Sequence, residues 1–250
     1  MKSPFFHFKH FSVRHQMSAM KIGVDSVLLG GWADLDGVTT ILDVGSGCGI
    51  LALMAVQRSS QLTATGIEIE PDAAAEATEN FRQSPWSDRL RLLKEDFSLF
   101  CSDPRNTASF DMLISNPPYF SSGISEIDDP RKLARHQGTL SPFSILSDGY
   151  SLLKEKGRIS MVLPAVFKDS IISEAYKTGY RLLRLTKVRG HISAPVKRIL
   201  IEFEKNSLSP VYQPSCSDSP LIEDELILES SPGVPTQRHR QMLHEFYLKF

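Results

Sequence analysis

Ile41-Leu42-Asp43-Val44-Gly45-Ser46-Gly47-Cys48-Gly49 decides the reading of this 250-residue chain. A short apolar run ends in three alternating glycines, and Ile50–Gln57 follows as a helix apolar on most faces. That is a strand, a tight turn and a helix packed on a sheet. Working outward, Ala64–Glu68 reads as a second strand and Pro71–Arg82 as an alanine-rich helix with Pro71 in its first turn. Leu90–Lys94 and Asp111–Ser115 are strands three and four. Pro142–Lys154 is a helix expected to stop before Gly157, Arg158–Leu163 a fifth strand and Lys168–Lys177 a helix. Alternation of this kind predicts βα units and a mostly parallel sheet.

The ends depart from that pattern. Leu182–Val188 and Arg198–Glu204 flank Gly190 and Pro195 and predict a β-hairpin antiparallel to the rest. Before the first strand, residues 24–34 predict a short helix with Asp25 as N-cap. Residues 206–220 carry Pro210, Pro214 and Pro220 among serines and read as a loop or insert. Leu226–Leu228 predicts a short strand, and Thr236 a cap for a final helix. The expected class is α/β, a mostly parallel seven-stranded sheet with a terminal β-hairpin. The expected divisions are an N-terminal aromatic-basic segment at 1–38, a core at 39–205 and an insert with a C-terminal extension packed on the core at 206–250.

Composition is ordinary for a soluble globular protein, with 41% hydrophobic and 23% charged residues. A net charge of -1 argues against a non-specific nucleic-acid coat but not against a local basic face. Cys48, Cys101 and Cys216 are too widely spaced for a zinc knuckle or a disulfide framework. His7, His10 and His15 lack the carboxylate and cysteine complement of a metal set, so no metal is expected. With no 18-residue apolar stretch and no signal-peptide core, the expectation is a cytoplasmic monomer with no membrane contact.

Gly45-Ser46-Gly47-Cys48-Gly49 differs from the dinucleotide fingerprint, whose helix start cradles a pyrophosphate. Asp43 beside such a turn is poorly suited to pyrophosphate and suits a cationic amino-acid end, which points to S-adenosylmethionine. Glu68, 25 residues after Asp43, can accept from both ribose hydroxyls. Asp96, with Phe97 beside it, can accept from an adenine amino group. Glu68 and Asp96 also read as loop-capping acids.

About 70 residues downstream the apolar run Phe110–Ser115 ends in Asn116-Pro117-Pro118-Tyr119. After a glycine loop, this turn implies methylation of a planar amino or amide nitrogen. Such a nitrogen must pyramidalise before its lone pair can attack. Two acceptors, Asn116 Oδ1 and the Pro117 carbonyl, can hold its hydrogens, Pro118 stiffens the turn, and Tyr119 can stack on the flat group. Asp111 either orients the cofactor or caps its strand. Residues 120–140, with Arg131, Lys132, Arg135 and His136, read as a substrate-covering loop or a solvated surface helix.

Two stretches are locally basic. Residues 1–21 hold Lys2, Lys9, Arg14 and Lys21 with no acid before Asp25. Between 176 and 205 eight basic residues, among them Arg181, Arg184 and Arg189, face only Glu202 and Glu204. Both stretches suit phosphate contacts, and His15 reads as an RNA contact or a packed loop residue.

With these motifs in place, the chain resembles the bacterial tRNA1(Val) adenine-37 N6-methyltransferase family, within the Rossmann-like class I methyltransferases. The resemblance is carried by Phe6–Val13, Met20–Gly30, Ile41–Gly49, Asn116–Phe120 and Phe246–Phe250. It implies methyl transfer from S-adenosylmethionine to N6 of an adenine beside a tRNA anticodon. It implies cofactor contacts at Asp43, Gly45, Gly47, Glu68, Asp96 and Asn116, a catalytic turn at Asn116, Pro117, Pro118 and Tyr119, and tRNA binding by the N-terminal segment. Another exocyclic base amine in RNA, or a protein glutamine, would be served by the same turn.

Overall fold

The computed structural model describes residues 4–17, 21–118, 140–206 and 221–249. In chain order the elements are β1 Phe5–His7, β2 Ser12–Arg14, α1 Val24–Trp32, β3 Thr40–Val44, α2 Ile50–Arg58, β4 Thr63–Glu68, α3 Pro71–Gln83 and β5 Leu90–Lys94. They continue with α4 Phe97–Ser102, β6 Phe110–Ser115, α5 Pro142–Gly149, β7 Leu153–Pro164, α6 Lys168–Thr178, β8 Tyr180–His191, β9 Arg198–Lys205, β10 Ile222–Ser231, β11 Val234–Pro235 and α7 Gln237–Leu243.

Among the described residues the main sheet has nine strands, not the seven expected, in the order β11-β10-β8-β9-β7-β6-β3-β4-β5. The run β5-β4-β3-β6-β7 is parallel throughout. β9 is antiparallel to both β7 and β8, and β10 adds to β8 in parallel. The sheet is therefore mixed. Buried side chains of α1, α2 and α7 pack on one face, and those of α4, α5 and α6 on the other. This is a three-layer α/β architecture.

Four local expectations change. Helix α5 stops at Gly149, and β7 starts at Leu153 rather than Arg158. Leu153 pairs with Phe110, the chain makes an excursion through Lys156 (φ 58°), and regular pairing resumes at Arg158. Gly157 serves that excursion: a Cβ there would lie 2.8 Å from Lys154 O. The N-cap of α1 is Gly23, and Asp25 lies in the first turn, bonded to Arg198. The helix α4 was not anticipated. Finally, β10 is ten residues long, although its Glu223-Asp224-Glu225 start reads as loop. Thr236 does cap α7, accepting from His239 N at 3.3 Å.

The N-terminal hairpin β1–β2 lies over α3 and the C-terminal tail. Phe8, Phe11 and Val13 are buried, Phe8 stacks on Phe11 at 4.7 Å, and Lys9 N donates to Phe246 O at 2.8 Å. Burying Phe8 and Phe11 contributes about 2–3 kcal/mol each, so these rings anchor the segment.

Candidate active site

The chain leaves β3 for β4 on one side and later fills β6 on the other. The carboxyl ends of β3 and β6 therefore border the crevice where strand order reverses, the usual ligand position in open α/β sheets. The glycine loop follows β3 and Asn116 follows β6. Ser115 ties these ends together, its Oγ donating to Val44 O at 2.7 Å.

The loop is held from below. Gly45 N and Ser46 N both donate to Ile67 O at 3.0 Å, and Gly47 N donates to Glu68 Oε2 at 2.8 Å. Asp43 is fully buried, and its Oδ2 accepts from Ser46 Oγ at 2.7 Å and Ala52 N at 3.3 Å. Its Oδ1 has no hydrogen-bond partner among the described residues. Gly45, Gly47 and Gly49 all have positive φ, at 68°, 55° and 83°. A Cβ on Gly47 would meet nothing within 4 Å, so the loop faces open space there.

Burial raises the Asp43 carboxyl from 3.8 to about 7, outweighing the bonds from Ser46 and Ala52 that lower it. The folded chain thus keeps this proton over a window in which the unfolded chain has released it. The contribution of Asp43 to stability is complete below about pH 4 and declines as pH rises through 7. Relative to Asp43→Asn, the wild-type melting temperature should fall between pH 4 and 7.5. Parallel melting curves across that range would remove the titration from Asp43.

The other site residues are distributed as follows. Glu68 ends β4, with Oε1 accepting from Glu70 N at 3.0 Å and Oε2 from Gly47 N. Asp96 caps α4, accepting from Leu99 N at 3.0 Å, while Phe97 is buried in the core. Asn116 Nδ2 donates to Ser26 Oγ at 2.9 Å. Pro117 and Pro118 follow it, and Tyr119 lies outside the described residues, as do Arg131, Lys132, Arg135 and His136. Asp111 is at the far end of β6, five residues or about 16 Å from Asn116. It accepts from Thr39 N, Thr40 N and Lys154 Nζ, so it caps the strand rather than orienting a cofactor. Its carboxyl is held below the usual range by the Lys154 and threonine bonds, which together outweigh burial, the largest single influence.

The basic positions divide. Lys9 Nζ donates to His244 O, Arg14 and Lys21 are exposed, and His15 Nδ1 is buried without a partner among the described residues. Arg181 pairs with Glu204 at 2.7 Å and Arg189 with Glu225 at 2.5 Å. Arg184 lies over the Trp32 ring, 4.1 Å from its centroid, and donates to Trp32 O. Arg181 is in register with Glu204 and, through it, with Arg158 near the start of β7's regular pairing, toward the edge opposite the glycine loop. The strongly basic stretch is largely neutralised because β10 brings Glu223 and Glu225 beside Lys187 and Arg189. Of the three arginines, Arg189 lies nearest the carboxyl edge.

Two residues at the site escaped sequence reading. Ser26 gave no signal, being 90 positions from Asn116. Asn80 is buried on the face of α3 that also holds Ala73, Ala77 and Phe81, and a polar residue within that apolar stripe was a usable clue. Its Oδ1 accepts from Arg14 N at 2.9 Å, and its Nδ2 donates to Arg14 O at 2.9 Å and to Cys48 O at 2.8 Å. One amide thus joins the N-terminal segment to the glycine loop. Glu76, one turn earlier, accepts from Gln16 N and Met17 N. Asn80→Ala would leave the buried Cys48 carbonyl and the half-buried Arg14 N–H and C=O without this partner and should cost about 1–3 kcal/mol. A chemical-denaturation midpoint equal to wild type would show the bridge to be idle.

A cavity of about 460 Å³ lies at the opposite edge of the sheet, lined by Asp111, Arg158 and Glu202 among others, and takes no part in this arrangement.

Comparison with known proteins agrees with the geometry. The family model described as the methyltransferase small domain matches residues 26–166. The tRNA1(Val) (adenine(37)-N6)-methyltransferase of Bacteroides thetaiotaomicron is 36% identical over 249 residues, covering 99% of both chains. That of Parabacteroides distasonis is 37% identical over 249 residues, covering 100% of both. A solved structure of a predicted O-methyltransferase from Agrobacterium tumefaciens matches with a TM-score of 0.66 at 18% identity, over 89% of this chain and 96% of that one, which bears on the fold alone. A crevice at the strand-order reversal, a braced glycine loop on one lip and an oriented Asn-Pro-Pro turn on the other, with full-length similarity of this degree, place the chain in the tRNA1(Val) (adenine(37)-N6)-methyltransferase family.

Proposed function

We propose that this protein methylates N6 of adenine 37 in the anticodon loop of tRNA1(Val), using S-adenosylmethionine. The observation that carries the reading is Asn116 at the switch point, with its amide nitrogen committed to Ser26 and the glycine loop beside it.

The residues present fit the cofactor. A buried carboxylate one donor short, Asp43, favours a nearby cation, and the open space over Gly47 leaves room for a ligand. Gly45 and Gly47 would lie against its amino-acid end, Glu68 would accept from its ribose, and Asp96 would lie toward its base. When bound, the cofactor supplies an electrophilic methyl group on a sulfonium. The chain's own task is alignment. Asn116 Oδ1 and the Pro117 carbonyl accept from the two hydrogens of the adenine amine, favouring the pyramidal nitrogen that attack requires. Pro118 stiffens the turn, and Tyr119 stacks on the base. Turning an adenine out of a loop costs less than out of a duplex, by a few kcal/mol at most.

In this reading residues 1–38 are a tRNA-contacting segment through Lys9, Arg14, His15 and Lys21, residues 39–205 the catalytic core and residues 206–250 an extension. Arg135, Arg181, Arg184 and Arg189 are the further RNA contacts, and Arg189 lies nearest the carboxyl edge. The enzyme acts as a cytoplasmic monomer. Among the described residues no helix is long and apolar enough to cross a membrane, and no His, Cys, Asp and Glu cluster could hold a metal ion.

The test is incubation with labelled S-adenosylmethionine and unmodified total tRNA, followed by nuclease digestion and mass spectrometry. N6-methyladenosine at position 37 of tRNA1(Val) is expected. Label in another nucleoside would change the base, and label only in a protein glutamine would replace RNA as the substrate.

A further inference from the structure

A cavity of about 310 Å³ opens where β8 turns into β9, lined by Val188, His191, Pro195, Lys197, Arg198 and Leu228 among others. We propose that it holds a nucleotide of the RNA strand adjacent to the target base. The assignment rests on the proposed function and deepens it by naming a second contact point for the same substrate.

Position is the first reason. β8 runs parallel to β7, so its carboxyl end lies at the same sheet edge as the glycine loop and Asn116. Arg198 is in register with Pro164, the last residue of β7, and bonds Asp25 in the first turn of α1. The next residue, Ser26, accepts from Asn116. The cavity and the catalytic turn thus border the same helical turn.

Chemistry is the second. The volume is at the lower end of small-molecule pockets, roughly 300–1,000 Å³, and suits a single nucleotide. Val188, Pro195 and Leu228 offer apolar wall for a base or ribose. Lys197 and His191 offer donors to a phosphate. Most cations nearby are spoken for: Lys187 pairs with Glu223 at 2.7 Å, Arg189 with Glu225 at 2.5 Å and Arg198 with Asp25. The Lys197 and His191 side chains form no ion pair with a described residue, and both are exposed. Glu229, in register with His191, accepts instead from Gly233 N at 3.1 Å.

Preorganisation is the third. Ala194 N donates to His191 O at 2.9 Å, Lys197 N to Val188 O at 3.3 Å and the Arg189 guanidinium to Ala194 O at 2.5 Å. The turn is therefore fixed before RNA arrives, which lowers the cost of binding.

The experiment is steady-state and binding analysis of the Lys197→Ala/His191→Ala double variant with unmodified tRNA1(Val) transcript. The KM for tRNA should rise about five- to tenfold, and the salt slope of binding should flatten by roughly one. kcat and the affinity for S-adenosylmethionine should stay within twofold of wild type. Transcripts substituted with 4-thiouridine next to adenine 37 should cross-link within residues 188–198. An unchanged KM and salt slope with no such cross-link overturn the assignment, as does an equal loss of cofactor affinity. If the wild type itself methylates no RNA, the enzymatic reading fails first; if it does and the variant matches it, only the pocket assignment fails.

Discussion

Asn116→Ala should lower single-turnover methyl transfer by roughly 10²–10³-fold, the scale of removing one aimed polar group from a reacting centre. Affinity for tRNA should stay within a few-fold of wild type, because the basic residues proposed to meet phosphate lie elsewhere. The reason is geometric. Asn116 follows a strand whose last residue, Ser115, is locked to Val44 O at 2.7 Å, and its Nδ2 is committed to Ser26 Oγ at 2.9 Å. With Nδ2 on Ser26 the amide is tethered, and a tethered acceptor is what holds an amine hydrogen as the nitrogen pyramidalises. Ser26→Ala provides the internal control. It keeps Asn116 but frees the amide to turn, so transfer should fall about tenfold, well short of the alanine variant at 116. A wild-type rate for Asn116→Ala in single turnover would remove this residue from the chemistry. Equal losses for the two variants would make Ser26 a direct participant.

Gly49→Ala should destabilise the fold by about 2–4 kcal/mol, the sum of strain at a left-handed position and overpacking. Gly49 has φ 83° and is the N-cap of α2. An added Cβ would lie 2.4 Å from Phe81 Cε1, and Phe81 is itself buried. Phe81 cannot simply retreat, because it packs in the cluster that also holds α1 and α2. The strain falls on the loop carrying Gly47 and Cys48, so cofactor affinity should decline along with stability. Adding Phe81→Leu relieves the overlap but not the backbone angle. The double variant should recover part of the stability loss that Gly49→Ala alone causes relative to the Phe81→Leu background. A Gly49→Ala protein that melts with wild type would mean the loop can rebuild without its left-handed residue.

The glycine loop, the strands on either side of it and the Asn-Pro-Pro turn were legible in the sequence because each is written in contiguous residues. An apolar run, a Gly-x-Gly-x-Gly turn and an apolar helix need no distant partner to be recognised. β10 was reduced to three residues because Glu223-Asp224-Glu225 is unlike a buried strand. Those acids fit a strand only once Lys187, Arg189 and Arg238 are beside them. The same pairing explains why a stretch with eight basic residues carries less unpaired charge than its sequence implies. The sequence places the end of α5 too late because Gly157 resembles a helix stop but serves a strand excursion.

By itself the sequence determined the α/β alternation, the glycine turn after β3 and the Asn116-Pro117-Pro118 turn after β6, since these depend on backbone preferences and side-chain types within a few residues. Only the tertiary structure decided that Ser26 orients Asn116, that Asn80 ties Arg14 to Cys48 O, and that Lys197 and His191 remain unpaired with described acids at the carboxyl edge. The physical reason is that hydrogen bonds and ion pairs are settled by which elements become neighbours, and neighbours 30 to 90 residues apart are chosen by burial of the whole sheet rather than by any local pattern.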